Sequence, residues 1–346
     1  MVRDLLLGKE PVDIDLVIED DIKSIADSLN RKLKGECLIY PEFGTATIRV
    51  GTEQIDLARA RTETYPLPAH LPVVRFSDLD KDFSRRDFTV NAVALSLSRK
   101  DFGRIIDPVS GIRDIREKSI RVLHGRSFID DPTRIFRALR YKNRLGFQIE
   151  PHTERLLRAA VRRKMIGRLT GQRVLNEYRL IFSEADSHKT LDDLTRLHIA
   201  RFPKNEYPIL SALDDLGLYY FLGKAGLTGY PLKRSEKLMV KELMMIPALI
   251  QKLARASRDS ELYSILTPVA PAIVDRLTAF KPVLRNKIMR YRKMVKVKPF
   301  VTGRDLKRLG LPPGPRYKKL LARVFRRQLD GLIRNKRAAL ALIVNE

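Results

Sequence analysis

Two aspartates, Asp13 and Asp15, stand one residue apart in "PVDIDLVIED", a segment that otherwise reads as a buried strand. Side chains alternate across a strand, so both carboxylates project from one face while Ile14 and Leu16 point into a core. Two carboxylates side by side repel, and each resists desolvation. Sharing divalent cations removes that penalty, and Mg²⁺ favours one or two carboxylates plus substrate phosphates over an all-protein cage. Two such ions, about 3.5–4 Å apart and bridged by acids, drive phosphoryl and nucleotidyl transfer: one activates an attacking hydroxyl and the other holds a triphosphate. The plain alternative is a solvated strand face, or a run of acids opening a helix at "EDD". The spacing alone leaves both open.

The acids need a sheet to hold them, and the first 125 residues supply a mixed α/β pattern. "VDIDLVI" has strand residue types with period-two alternation. "DDIKSIADSLNRKLKG" has apolar residues at helical spacing, acids at its start and Gly35 at its end. "ATIRVG" and "QIDLARAR" read as a strand pair around "GTE". "FTVNAVALSLS" is apolar and is followed by "RIIDPVSG". From residue 126 the helical period takes over. "DDPTRIFRALRYKNRLG" predicts a helix with Asp131 as N-cap, Pro132 at the first helical position and Gly146 as the stop. "PHTERLLRAAVRRKM" and "GQRVLNEYRLIFSEAD" follow, and further helices run to about residue 296. A last unit begins at "VTGRDLKRLG", with Thr302 as a cap and the PPGP stretch separating two helices. There is no low-complexity segment and no strong internal repeat. The predicted fold class is α+β and multidomain: a mixed sheet with helices, then an all-α region.

Composition narrows the function classes. With 346 residues the chain can bury a sizeable core. A lone cysteine, Cys37, excludes an internal disulfide framework and suits a reducing cytoplasm. No run of 18 apolar residues predicts a transmembrane span, and the start lacks the pattern of a signal peptide. The formal net charge is +26, unevenly placed: residues 1–125 carry 20 Lys+Arg and 21 Asp+Glu, so nearly all the excess lies beyond them. A neutral front joined to a basic back points to a polyanion, nucleic acid ahead of a membrane surface. A membrane-binding helix would concentrate its charge beside Trp or Phe. Here Trp is absent and the basic residues are spread over the whole back of the chain.

The opening "VRDLLLG…VDIDLVIED" resembles the first motif of the class II tRNA nucleotidyltransferase and bacterial poly(A) polymerase family, Gly-Gly-x-Val-Arg-Asp-x-Leu-Leu-Gly followed by Asp-hydrophobic-Asp. Val2, Arg3, Asp4, Leu6, Leu7, Gly8, Asp13 and Asp15 match, and only Met1 stands where the paired glycines belong. "RRDFTVNAVAL" resembles the second motif. The resemblance implies that Arg86, Asp87 and Asn91, with Arg3 and Asp4, hold the sugar and phosphates of an incoming nucleotide. Arginine offers forked donors to phosphate, and Asp and Asn can meet a 2′-hydroxyl. "IIDPVSGIRDIREKSIRVL" resembles the segment DPxGGxxDLxxxxIR, with Ser110 in place of a glycine and Asp107 in a structural role.

"FIDDPTRIFRALRYKNRLGF" looks like the family's template motif, Glu/Asp-Asp-x-x-Arg. Asp131 and Arg134 are three apart on a helix and share a face. A carboxylate accepts from an exocyclic amine, and a guanidinium donates to a ring nitrogen or keto oxygen. Cytosine and adenine both present an amine beside an acceptor, whereas U and G reverse that pattern. The plain alternative is an N-cap with an i,i+3 salt bridge worth a few tenths of a kcal/mol. Arg137 and Arg140 extend the same helix toward a triphosphate or primer. "GQRVLNEYRLIF" resembles the last head–neck motif, in which Arg173 and Glu177 support the nucleotide-binding helix. Asp56 stands near the place of an accessory third acid. Residues 61–71 look like the mobile loop that the family couples to the choice between C and A, and "TETYPLPAHLP" is closest in pattern to bacterial A-adding enzymes.

The resemblance therefore implies a head over residues 1–125, a helical neck over 126–185, a helical body over 186–296 and a basic helical tail over 297–346. The implied activity is addition of A, or of C and A, to the 3′ end of tRNA from ATP and CTP with two Mg²⁺ ions. The basic body and tail would hold the tRNA by shape and phosphates. A bacterial poly(A) polymerase is a second reading. The missing glycine pair leaves open a part of a longer or split multidomain protein, or a catalytically impaired RNA-binding relic. No P-loop and no Cys/His cluster of zinc spacing occurs. The five histidines are scattered, and "HGRS" and "PHT" read as surface or cap positions.

Overall fold

The computed structural model describes residues 1–344 apart from Val12, Thr228 and Pro313, and without the side chains of Lys204, Ser211, Ala212, Asp214 and Ala279. Two compact units make up the chain, Met1–Arg201 and Phe202–Glu346.

The first unit opens with a short helix, α1 (Val2–Leu6). Next come β1 (Ile14–Ile18), α2 (Ile22–Leu33), β2 (Glu36–Tyr40), β3 (Thr45–Val50) and β4 (Glu53–Arg59). These strands form one sheet in the order β1-β4-β3-β2. β1 runs parallel to β4, and the other two pairings are antiparallel. The strand pair read around "GTE" is β3–β4. β1 is shorter than its sequence pattern, so Asp13 lies just before the strand and Asp15 within it.

One face of the sheet is apolar because Ile14, Leu16 and Ile18 alternate with the acids. It packs on α2 around Ile22, Ala26, Ala46, Ile48 and Leu57. Ile48 and Leu57, 0% and 1% exposed, each contribute about 1.5–3 kcal/mol by leaving water. Asp21 caps α2 by accepting from Ser24 N at 2.9 Å. The helix does not stop on Gly35 as its sequence suggests, because Lys34 takes the left-handed position at φ 55°. Gly35 is needed for another reason: a Cβ there would sit 2.4 Å from the Arg49 carbonyl oxygen.

A ribbon follows, β5 (Arg61–Thr64) paired with β6 (Val73–Phe76), and then α3 (Leu79–Ser84). "FTVNAVALSLS" is no long strand. It makes a 3₁₀ turn at Thr89–Asn91 and the two-residue strand β7 (Ala94–Leu95), paired with β8 (Ile105–Ile106). Asp107 accepts from Gly111 N at 2.6 Å and Ile112 N at 2.9 Å, which starts α4 (Gly111–Arg116). After β9 (Ser119–Ile120) come α5 (Ser127–Asp130) and α6 (Thr133–Leu145). Pro132 takes the cap position of α6, one residue later than expected, yet Asp131 still accepts from Thr133 N at 3.0 Å. Gly146 ends α6 at φ 70°. β10 (Gln148–Ile149), α7 (Pro151–Arg162), α8 (Gly171–Phe182) and α9 (Ser187–Arg196) complete the unit. Phe88, Val90, Ile120, Phe128, Ile135 and Leu157 lie in its second core.

The second unit is helical. Thr302 and Asp305 form a capping box at Gly303–Arg308, as the sequence suggests for Thr302. That helix and Pro315–Leu329 flank the PPGP stretch, whose Pro313 lies outside the described residues. Val301, Leu306, Leu320, Val324, Ile333 and Ala339 give this segment a core of its own. Arg285, Lys293, Lys296, Lys298, Arg304 and Lys307 are exposed. Among the described residues no helix is long and apolar enough to cross a membrane.

Candidate active site

Asp13 and Asp15 are both exposed, and among the described residues neither carboxylate is engaged by another side chain. Asp15 lies in register with Asp56 on β4, which itself lies opposite Thr47 on β3. Asp56 is tied down within the sheet face: Thr47 Oγ1 donates to one oxygen at 2.6 Å and Gln54 Nε2 to the other at 2.8 Å. The pair Asp13–Asp15 is thus left as the open donor set. Among the described residues no three His, Cys, Asp or Glu side chains converge into a ready-made cage. Two unengaged carboxylates in front of a hydrogen-bonded third fit a hard divalent cation that completes its shell with phosphate oxygens and water.

The residues of the second motif form a connected network with α1 and α6. Arg3 forms an ion pair with Asp4 at 2.8 Å and donates to the Asn91 side-chain oxygen. Asn91 Nδ2 donates to Asp87 Oδ1 at 3.0 Å, and Phe88 N donates to the same oxygen at 2.8 Å. Arg137 Nε closes on Asp87 Oδ2 at 2.7 Å. Burial would push the Asp87 carboxyl upward, but the Arg137 charge with the Asn91 hydrogen bond outweighs it and holds the group below the usual carboxylate range. Arg86 is used inside the protein. It grips Asp82 through Nε and Nη2 at 3.2 and 3.1 Å and donates to the Asn91 carbonyl at 3.0 Å.

Two members of this network escaped the sequence reading. Asp82, 1% exposed, accepts from both Arg85 and Arg86. Its signal is helical spacing, three and four residues before the paired arginines. Tyr141 is the other. The guanidinium carbons of Arg3, Arg137, Arg140 and Arg144 lie 5.3, 5.5, 5.9 and 4.8 Å from its ring centre. The ring's negative face gives these like charges a shared partner. Three of the arginines flank Tyr141 along α6, but nothing in the sequence announces that Arg3 joins them.

Asp131 and Arg134 do not pair with one another, so the i,i+3 salt bridge of the plain reading is absent. Asp131 Oδ1 accepts from Thr133 Oγ1 at 2.6 Å and from Arg173 Nη2 at 2.6 Å, while Oδ2 meets no donor among the described residues. Arg134, 4% exposed, donates from Nη1 to Ser127 Oγ at 2.6 Å and from Nη2 to the Arg85 carbonyl at 2.8 Å. Its Nε and second Nη2 hydrogen meet no acceptor among the described residues. What remains is one acceptor from Asp131 and a two-donor edge from Arg134.

The other arginines and Glu177 are placed as follows. Arg173 also donates to the Ala69 carbonyl at 2.7 Å, and Ala69 N donates to the Asp130 carbonyl at 3.1 Å. The 61–71 segment is thereby tied to the start of α6. Arg140 is turned inward, onto Glu177 Oε2 at 3.2 Å and Glu184 Oε1 at 3.0 Å. Burial raises the Glu177 carboxyl above the usual range even with Arg137 and Arg140 beside it.

A four-stranded sheet with an open acid pair beside it is thus followed by a helix that carries Asp131 and the buried Arg134 at its start. Residues 1–121 match the poly A polymerase head domain. The chain is 34% identical over 375 residues to an A-adding tRNA nucleotidyltransferase of Geobacter sulfurreducens, covering 95% of this chain and 42% of that protein. It is 30% identical to an A-adding tRNA nucleotidyltransferase of Halalkalibacterium halodurans, covering 98% of this chain and 85% of the other. A solved CCA-adding enzyme in complex with ATP superposes with a TM-score of 0.80 at 29% identity, over 99% of this chain and 89% of that one. The chain belongs to the class II tRNA nucleotidyltransferase and poly(A) polymerase family. It spans less than half the length of the Geobacter relative.

Proposed function

We propose that this chain is a cytoplasmic nucleotidyltransferase that adds A, or C and A, to the 3′ end of tRNA from ATP and CTP, releasing pyrophosphate. One observation carries the reading: Asp131 keeps one unengaged acceptor and Arg134 keeps a two-donor edge, while every other polar atom of the pair that has a partner is bound within the protein. Adenine offers an amine to the acceptor and a ring nitrogen to the donors, and cytosine adds a keto oxygen. Uracil and guanine present donors and acceptors the wrong way round. The base is thus chosen by side chains without a nucleic-acid template.

Asp13 and Asp15 would hold the divalent ions, which when bound neutralise the acid pair, lower the pKa of the attacking hydroxyl and balance charge on the triphosphate. The tRNA 3′-oxygen attacks the α-phosphorus, and the bond to the β-phosphate's bridging oxygen breaks. The network Asp4–Arg3–Asn91–Asp87–Arg137 would receive the sugar and phosphates, with Asp87 and Asn91 at the ribose hydroxyls. Residues 186–296 and 297–346 would form the body and tail that hold the tRNA, through phosphate contacts that weaken steeply with salt.

The test supplies purified protein with tRNAs ending before CCA, at C and at CC, each with one nucleotide at a time. One to three additions are expected, and a long ladder of A on generic RNA would identify a poly(A) polymerase. Asp13→Ala and Asp15→Ala should each abolish transfer while the thermal transition stays put; activity in both would refute the acid pair's role. Arg134→Ala should loosen base choice by about 10–100-fold, as expected from about 1–3 kcal/mol per bidentate base contact. An unchanged nucleotide spectrum would refute the base-selecting role.

A further inference from the structure

We infer that His124 and Ser127 are positioning residues for nucleotide choice: together they hold one edge of Arg134 inside the protein so that only the other edge reaches the base. The inference rests on the reading of Arg134 as the base-selecting arginine.

A guanidinium has five N–H donors in a fixed plane, and it can offer a base more than one edge. Which edge it offers decides which acceptor pattern it accepts. Arg134 has its Nη1 nitrogen on Ser127 Oγ at 2.6 Å, with His124 Nε2 3.5 Å away at the outer limit of a hydrogen bond. The Arg85 carbonyl takes one hydrogen of Nη2 at 2.8 Å. Nη1 and one Nη2 hydrogen are therefore engaged, and Nε with the other Nη2 hydrogen is what remains.

The two residues reach Arg134 together because the chain turns between them: Ser127 N donates to the His124 carbonyl at 3.2 Å. Ser127 is fully buried, whereas the His124 ring keeps an exposed edge. Neutral imidazole can accept from Arg134; an imidazolium would face it as a like charge. Partial burial of the ring, with Arg134 and Arg126 beside it, keeps His124 below the ordinary histidine range against the pull of Asp130, so it is neutral at pH 7. The charged groups facing it are thus Arg134 from α6, Arg126 just before α5 and Asp130 from α5, and the last two are themselves paired at 2.9 Å. Nothing in "HGRS" as a sequence distinguishes these two residues from an ordinary turn.

The test measures kcat/KM for ATP against GTP and UTP on tRNA ending in CC, from pH 5.5 to 8, for the parent chain and for Ser127→Ala, His124→Gln, His124→Lys and Arg134→Ala. Ser127→Ala and His124→Lys should each lose about tenfold of the preference for ATP, within the range of a base contact, with KM for tRNA unmoved. His124→Gln, which keeps a neutral acceptor, should retain the preference. The parent should lose preference as pH falls through the lowered His124 value, below the ordinary histidine range, and His124→Gln should not. If Ser127→Ala does not fold, the Gln and Lys variants at the partly exposed position decide alone. Parent-like preference in His124→Lys, with the preference lost in Arg134→Ala, would overturn this inference and leave the base-selecting role standing. Parent-like preference in Arg134→Ala would overturn both.

Discussion

Replacing Asp87 by Asn tests the network at its centre. The Asp87 side chain is 10% exposed and that of Arg137 32% exposed. Asp87 Oδ2 receives Arg137 Nε at 2.7 Å and Nη2 at 2.6 Å. Asn keeps the shape and one acceptor but removes the charge, leaving a largely buried guanidinium without its counter-ion. Breaking a buried pair from one side costs about 3–5 kcal/mol. Arg137 retains some contact with water, so the low end applies, about 3 kcal/mol. For a unit of this size that lowers the melting temperature by about 6–12 °C.

The assay is a double-mutant cycle by thermal or urea denaturation with Asp87→Asn, Arg137→Leu and the pair. The two substitutions should couple by at least about 2 kcal/mol, because the double variant no longer buries an unpaired charge. A coupling below about 0.5 kcal/mol would refute the claim that this ion pair holds α6 to the second motif. The pH dependence has a definite sign. Asp87's folded pKa lies below the usual value, so its contribution is fully present above about pH 4 and is lost as pH falls through the lower folded value. Asp87→Asn should remove that acid-side loss from the stability curve.

Ser110 stands at φ 60° where the family pattern has glycine, and Ser110→Gly should raise stability by about 0.5–1 kcal/mol, read as a urea midpoint. An unchanged or lower midpoint would contradict strain at that turn. Gly35→Ala should destabilise the sheet by about 1–3 kcal/mol, since its Cβ would meet the Arg49 carbonyl at 2.4 Å and backbone must move. In the second unit, Asp305 is held down to about 2 by its bonds from Lys336 and Thr302. Its contribution should be present above about pH 4 and fade as pH falls toward 2, a change that calorimetry would find missing in Asp305→Asn.

Much of this protein is readable from local pattern. Period-two alternation anticipates that Asp15 on β1 and Asp13 just before it are exposed, and the caps at Asp21, Gly146 and Thr302 mark helix ends because capping depends on a few neighbouring residues. The order of the motifs along the chain identifies the family for the same reason: short stretches carry their own chemistry. What the sequence leaves open depends on contacts between distant residues. Asp131 and Arg134 are three apart and look like a salt bridge. Only the fold brings Arg173 to the first and Ser127 with the Arg85 carbonyl to the second, and so frees one acceptor and one donor edge. Arg86 reads as a phosphate ligand and Arg140 as a substrate contact; only the fold shows Asp82 beside the first and Glu177 and Glu184 beside the second. Arg3 reaches Asn91 and the Tyr141 ring across a large sequence separation that no periodicity can signal. The sequence by itself determines which side chains can do the chemistry. Tertiary structure decides which of their donors and acceptors remain unspent, because a hydrogen-bonding group can face a substrate only if no buried partner has already claimed it.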